Sequence, residues 1–152
     1  MTEQKTNVYL RPVYYYETDR MGIVHHSNYI RWLEEARLEV MRRQGVEYLE
    51  FEAQGVLMPV VDVSCRYRLS ARFGDTVAVE TELVEYSGVR AAYAYTIRNA
   101  ADGAVLATAH STHCFVEQST HRPVHLRRRL PEIDRAIRRI TAPETGEGET
   151  AR

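Results

Sequence analysis

Tyr29, Trp32, Leu33, Ala36 and Val40 recur at steps of three and four and form one apolar stripe. The pattern predicts a helix from Asn28 to about Gln44, with Gly45 as its stop signal. Ile30, Leu38 and Met41 widen the stripe beyond a single face. A helix this apolar has to be covered on more than one side, so the rest of the chain must supply a curved partner. Arg31, Glu34, Glu35, Glu39 and Arg43 lie mostly off the stripe, with Arg31–Glu35 and Glu39–Arg43 spaced as i,i+4 pairs.

The partner is legible as strands. "VYLRPVYYYE", Val8 to Glu17, is aromatic and β-branched and predicts a strand, with Pro12 near its start or at an edge. Further strands are expected near Val56–Leu69, Thr76–Tyr86, Val89–Asn99 and Val105–Glu117. Turn signals separate them at Arg72–Asp75, Ser87–Gly88 and Ala101–Gly103. In "TVAVETELVEY" the residues Val77, Val79, Thr81, Leu83 and Glu85 share one face. Short turns make neighbouring strands antiparallel. A short helical turn is expected within Val46–Gln54 and a short amphipathic helix over Pro131–Ile140. One apolar helix and one antiparallel sheet predict an α+β sandwich in which a five-stranded sheet curls around a long central helix. Residues 1–140 are expected to form one domain, and 141–152, which lack core-forming residues, a mobile tail. Remaining apolar helix surface and open strand edges invite self-association.

Composition narrows the function. With 44% hydrophobic and 27% charged residues, 152 residues can bury a core. A net charge of −1 gives no general affinity for nucleic acid. Cys65 and Cys114 form no CxxC pair, which suits a reducing cytoplasm. No apolar run is long enough to span a bilayer, and the start carries no apolar signal core. Seven arginines lie between His121 and Ile140 against Glu132 and Asp134. They read either as a solvated helix face or as a phosphate-contacting patch.

Chemistry concentrates in "ETDRMGIVHHSNY", Glu17 to Tyr29, between the first strand and the helix. Asp19 supplies a carboxylate able to attack a carbonyl or to activate water. Gly22 allows a tight turn and positive φ. From His26 onward the chain opens the helix, where unpartnered amides and the helix dipole favour a developing oxyanion. Asp19 taken alone also reads as a turn or capping acid.

The run "DRMGIVHHSNYIRWLEEAR" resembles the signature of the 4-hydroxybenzoyl-CoA thioesterase family of hotdog-fold proteins. Within that family it is most like the Tol-Pal-associated bacterial acyl-CoA thioesterases. The pattern is filled by Asp19, Gly22, Val24, His26 and Tyr29, then Trp32, Glu34, Glu35, Ala36 and Arg37. "ARFGD" at Ala71–Asp75, the strand Ala109–Val116 and Arg122-Pro123 extend the likeness over roughly Val8 to Asp134. The resemblance implies hydrolysis of an acyl-CoA thioester to a carboxylic acid and free coenzyme A. It implies Asp19 and His26 as catalytic residues, the latter through its backbone N–H. It also implies a substrate site involving Gly22, Val24 and Tyr29, no metal or other cofactor, and a homodimer or homotetramer with the pocket between subunits. Arg90, after the "YSG" turn, Arg122 and Arg127 are candidates for the phosphates of coenzyme A.

Other groups read differently. Glu35 is an alternative carboxylate on the helix, or a surface ion-pair residue. His110 and His113, three apart on a strand, point to opposite faces, and His121 and His125 lie in a proline-bearing loop, so neither pair predicts a metal site. The rival functions are an acyl-thioester binding protein of the same fold without catalysis, a hotdog dehydratase and an interaction protein working through the basic C-terminal segment.

Overall fold

The computed structural model describes residues 7–141. Strand β1 (Val8–Pro12) is followed by a 3-10 turn (Tyr15–Glu17) and by helix α1 (Ser27–Arg43). Helix α2 (Tyr48–Ala53), β2 (Val56–Leu57) and β3 (Val60–Tyr67) come next. Then follow β4 (Thr76–Tyr86), β5 (Arg90–Asn99), β6 (Val105–Cys114), β7 (Val116–Glu117), α3 (Leu126–Arg129) and α4 (Pro131–Thr141). The main sheet has five strands in the order β1-β4-β5-β6-β3, and β2 pairs with β7 in a separate two-stranded sheet. The tail expected over 141–152 lies outside the described residues, apart from Thr141 at the end of α4.

Helix α1 carries the predicted stripe: Tyr29, Trp32, Leu33, Ala36 and Val40 are all buried. Its C-terminus closes as the sequence suggests. Gly45 takes φ +89°, its N–H reaches the Arg42 carbonyl at 2.9 Å, and the Val46 N–H reaches Met41 at 3.0 Å. That paired arrangement satisfies two of the last helical carbonyls.

The strands are shorter than the apolar patterns suggest, and proline explains one of the breaks. The first strand stops at Pro12, not Glu17. Beyond it the Tyr14 N–H is spent on the Glu17 carboxylate (2.9 Å) and not on a neighbouring strand. The expected strand Val56–Leu69 breaks at Met58-Pro59, because Pro59 has no amide hydrogen for a ladder. The last strand breaks at Phe115, whose N–H turns to the Val89 carbonyl at 3.2 Å.

Pairing is antiparallel, as predicted. β1 meets β4 with Val8 opposite Glu80 and Pro12 opposite Thr76. Hairpin contacts join β5 to β6, with the Asn99 N–H on Ala104 O at 2.9 Å. The β3–β6 pair runs from Pro59 O with Cys114 N to Arg68 N with Leu106 O, so one number rises as the other falls. Along β4 the alternation holds: Val77, Val79, Thr81 and Leu83 are buried, while Glu85 at the strand end is exposed.

The described residues fall into two compact units. The first draws on 7–40, Val63–Thr81 and Ala94–His110, the second on Met41–Asp62, Glu82–Tyr93 and 111–141. The first unit's core holds the α1 stripe with Val77, Val79, Tyr95, Ile97, Leu106 and Ala107. The Arg37 guanidinium of α1 reaches the Tyr95 hydroxyl of β5 at 3.3 Å. The second unit's core is built on Phe51 and Phe115, stacked with centroids 6.1 Å apart, together with Tyr93, Leu126 and Ile137.

Gly88 in the second unit is required on two grounds. Its φ is +91°, and a Cβ there would sit 2.3 Å from the His125 ring, whose Nδ1 accepts the Arg127 N–H that opens α3. Gly88→Ala is expected to cost at least about 2 kcal/mol from backbone strain and displacement of the ring. Urea unfolding of the two proteins side by side measures it.

Candidate active site

The loop between β1 and α1 is a tight backbone structure. Thr18 bridges Val24, the Asp19 N–H donates to Ile23 O at 2.8 Å, and the Gly22 N–H donates to Asp19 O at 2.9 Å. Gly22 takes φ +80°, and a Cβ there would meet nothing within 4 Å. Its role is therefore the left-handed turn rather than a close approach, which narrows the sequence expectation. The turn aims Asp19: Oδ1 accepts the Met21 N–H at 2.8 Å, and Oδ2 has no protein partner among the described residues. One oxygen is thus held by the backbone and the other is available for chemistry.

At the start of α1 the amides are almost all engaged. His25 N–H donates to Glu17 O at 2.8 Å, Ser27 N–H to His25 Nδ1 at 3.2 Å, Asn28 N–H to His25 O at 3.0 Å and Tyr29 N–H to His26 O at 3.2 Å. The His26 N–H has no protein acceptor among the described residues. It is the one amide in this run still able to donate to a ligand, at the positive end of a seventeen-residue helix.

A buried charge network holds the loop's entry. Glu17 is only 2% exposed. Its carboxylate accepts from Arg11 Nη1 at 2.7 Å, Tyr14 N at 2.9 Å and Trp32 Nε1 at 3.2 Å. Its carbonyl accepts from His25 N and, at 3.0 Å, from Asn28 Nδ2. Burial alone would raise the Glu17 pKa, but the bonds from Tyr14, Arg11 and Trp32 hold it below the ordinary carboxylate value. Arg11 also grips Glu35 through Nε at 3.0 Å and lies over the Tyr14 and Trp32 rings. Glu35 additionally accepts the Tyr9 hydroxyl at 3.0 Å, and its ion-pair partner is Arg11 on β1 rather than Arg31. The ion-pair reading of Glu35 holds.

A cavity of about 190 Å³ collects Asp19, Val24, His26 and Tyr29 from the predicted set, with Met21, Ile23, Tyr67 and Leu69. Tyr29 is 2% exposed, and its hydroxyl accepts the Ala71 N–H at 3.0 Å, which ties the helix start to the "ARFGD" turn. Arg90 and Arg122 are exposed residues of the second unit and do not line this cavity. His110 is exposed and His113 buried, as opposite strand faces require, and His125 caps α3. Sequence reasoning missed Glu17 as a buried anchor and Tyr67 as a cavity wall. An acid ending an aromatic run was the available signal for the first. Nothing in sequence spacing marks the second.

The cavity gathers Asp19, with one unpartnered carboxylate oxygen, and His26, with its unengaged amide, on a hotdog-type helix and sheet. The description "Thioesterase-like superfamily" matches residues 13–139, nearly the whole described chain. The chain belongs to the thioesterase-like superfamily. Among its relatives is the protein named "Putative acyl-CoA thioesterase YneP" of Bacillus subtilis (strain 168). The two are 38% identical over 120 residues, covering 79% of this chain and 86% of that one. The acyl-CoA thioester hydrolase YbgC of Escherichia coli O157:H7 is 31% identical over 88 residues, 58% of this chain and 66% of the relative. A solved DHNA-CoA thioesterase from Staphylococcus aureus superposes with a TM-score of 0.83 at 32% identity, covering 88% of this chain and 89% of that one. This member of the superfamily has the hotdog fold, and no helix among its described residues is long and apolar enough to cross a membrane.

The Glu17 network gives a pH prediction. A carboxylate with a lowered folded pKa stabilises the fold fully above its ordinary value of 4.5, and that contribution is lost as pH falls through the lowered value. Tm should therefore drop on acidification below that range. Glu17→Gln should lower Tm at neutral pH, costing about 3 kcal/mol by leaving Arg11 with one carboxylate. The variant's Tm should also fall less steeply with acid. Part of the slope will remain, because Asp134 is likewise lowered by Arg138 and Tyr86 against the effect of its own burial. Calorimetric melts of both proteins from neutral pH to below pH 4 measure the difference.

Proposed function

We propose that this chain hydrolyses acyl-CoA thioesters, releasing a carboxylic acid and free coenzyme A, with Asp19 as the reacting carboxylate and the His26 N–H as oxyanion donor. The coarse activity rests on the superfamily and on the names its relatives carry. The assignment of roles rests on one observation above the others: His26 is the amide left without an acceptor at the helix start, in the same cavity as Asp19. A thioester carbonyl seated there places its oxygen at the positive helix end as charge develops on it. Asp19 Oδ2 then faces the carbonyl carbon, either to attack it or to take a proton from the attacking water. Val24, Tyr29 and Met21 offer the acyl group an apolar and aromatic wall. The likeness to 4-hydroxybenzoyl-CoA thioesterases and to the Tol-Pal-associated group rests on the Asp19–Arg37 motif. A cytoplasmic setting rests on the unpaired Cys65 and Cys114. Arg90 and Arg122 remain proposed coenzyme A contacts on charge alone.

Asp19→Asn keeps the size and the bond from Met21 but removes the charge and basicity. The expected result is a fall in kcat by a factor on the order of 10² or more, with a smaller change in KM and a normal thermal melt. A folded variant with near-normal turnover on a good acyl-CoA would remove Asp19 from the mechanism. Absence of turnover by the parent chain across short, long and aromatic acyl-CoA thioesters would favour the binding-protein reading.

The site is proposed to be completed by a second copy of the chain. A cavity of about 190 Å³ is smaller than the roughly 300–1,000 Å³ usual for ligand pockets. Its wall continues into β3, an edge strand of the sheet on which Val60, Val61 and Val63 are 53%, 48% and 40% exposed. Apolar side chains on both faces of an unpaired edge are what a second strand would cover. Light scattering at micromolar concentration should give a dimer or tetramer, and a monomer there would count against the shared site.

A further inference from the structure

Tyr67 is the last residue of β3, and it is the cavity wall that the proposed chemistry leaves without a task. Its hydroxyl donates to the His26 carbonyl at 3.1 Å, across 41 residues of sequence. Its ring stands edge-on to the Tyr29 ring at 5.0 Å and to the His26 ring at 6.3 Å, and it lines the cavity with Asp19. The residue is 43% exposed, but partial desolvation of its hydroxyl pushes the pKa up to about 12, and the proton is on the hydroxyl at neutral pH.

We infer that Tyr67 is a positioning residue that sets the direction of the His26 N–H; the inference rests on the oxyanion role proposed for that amide. The His26 N–H shares a plane with the His25 carbonyl, which accepts from Asn28 N and, at 3.4 Å, from Asn28 Nδ2. The next plane carries the His26 carbonyl, which accepts from Tyr29 N and from the Tyr67 hydroxyl. His26 precedes the first helical residue, so regular helix bonding does not fix both of its planes. The bonds to Asn28 and Tyr29 come from the helix itself and move with it. Among the described residues, Tyr67 alone ties the His26 carbonyl to the sheet. A donor aimed at a transition state gains its effect from being fixed before the charge develops, so a small rotation costs rate more than substrate binding.

Tyr67→Phe is the test, because it removes the hydroxyl and keeps both ring contacts. The expected result is a fall in kcat of about tenfold, less than the 10²–10³ typical of losing a whole donor. KM should stay within about twofold, because the ring still lines the cavity. Independently of turnover, the His26 amide resonance in a 1H–15N spectrum should shift beyond the amides of α4. Tyr67→Leu, which also removes the ring, should raise KM in addition. Unchanged kcat with an unmoved His26 resonance would overturn the inference. So would a loss of activity that merely follows a loss of folded protein in the melt. Asp19→Asn assayed alongside separates the two readings. If it stays active, the proposed chemistry fails whatever Tyr67 does. If it is inactive while Tyr67→Phe is normal, only the positioning role falls.

Discussion

The buried Arg11–Glu17 pair is the interaction on which the site depends. A carboxylate at 2% exposure is tolerated only because Arg11, Tyr14 N and Trp32 Nε1 all donate to it. Those donors come from β1, from the 3-10 turn and from α1, so satisfying one charge fixes three pieces of backbone at once. The Glu17 carbonyl then receives His25 and Asn28, and the loop that presents Asp19 is pinned at both ends. Arg11 extends the arrangement to Glu35, which explains why an acid on the helix that resembles a catalytic candidate is committed to structure.

The groups proposed to react are held lightly by comparison. Asp19 keeps one oxygen on Met21 N and presents the other. The His26 amide is flanked by engaged neighbours and has no acceptor of its own among the described residues. Hydrogen bonding is concentrated instead on Glu17, where an unsatisfied buried charge would be costly. The capacity left at Asp19 and His26 is what the proposed chemistry would draw on.

Much of this was legible in the sequence, and the exceptions have physical reasons. The helix stripe, the Gly45 stop and the β4 alternation depend on periodicity and local backbone preference, which a sequence carries directly. The strand limit at Pro59 was misjudged because apolar composition outweighed a missing amide hydrogen, and the limit at Pro12 because the Tyr14 N–H is taken by the Glu17 carboxylate. Asp19 and His26 could be proposed from sequence because one short loop and a recognisable motif hold both, and the fold brings both to one cavity. Glu17 could not be, since its burial depends on a guanidinium and an indole brought in from two other elements. Tyr67 lies further still from His26, on an edge strand where no local pattern distinguishes it. Arg90 and Arg122 were singled out by charge, and their exposed positions leave the coenzyme A role a proposal.

The sequence separations within the site bear on the order in which it can be built. Glu17 reaches Arg11 across 6 residues and Trp32 across 15. The Tyr67–His26 and Ala71–Tyr29 bonds close 41 and 42. Closing the longer loops costs about 0.9 kcal/mol more entropy than closing the fifteen-residue one, and they also need β3 and its following turn in place. The Glu17 cradle is therefore local and accessible early in folding, whereas the Tyr67–His26 bond waits for distant chain. On the proposed roles, a chain arrested between those two events would carry its acid without a fixed donor, and hydrolytic competence would arrive only with the last long-range contacts.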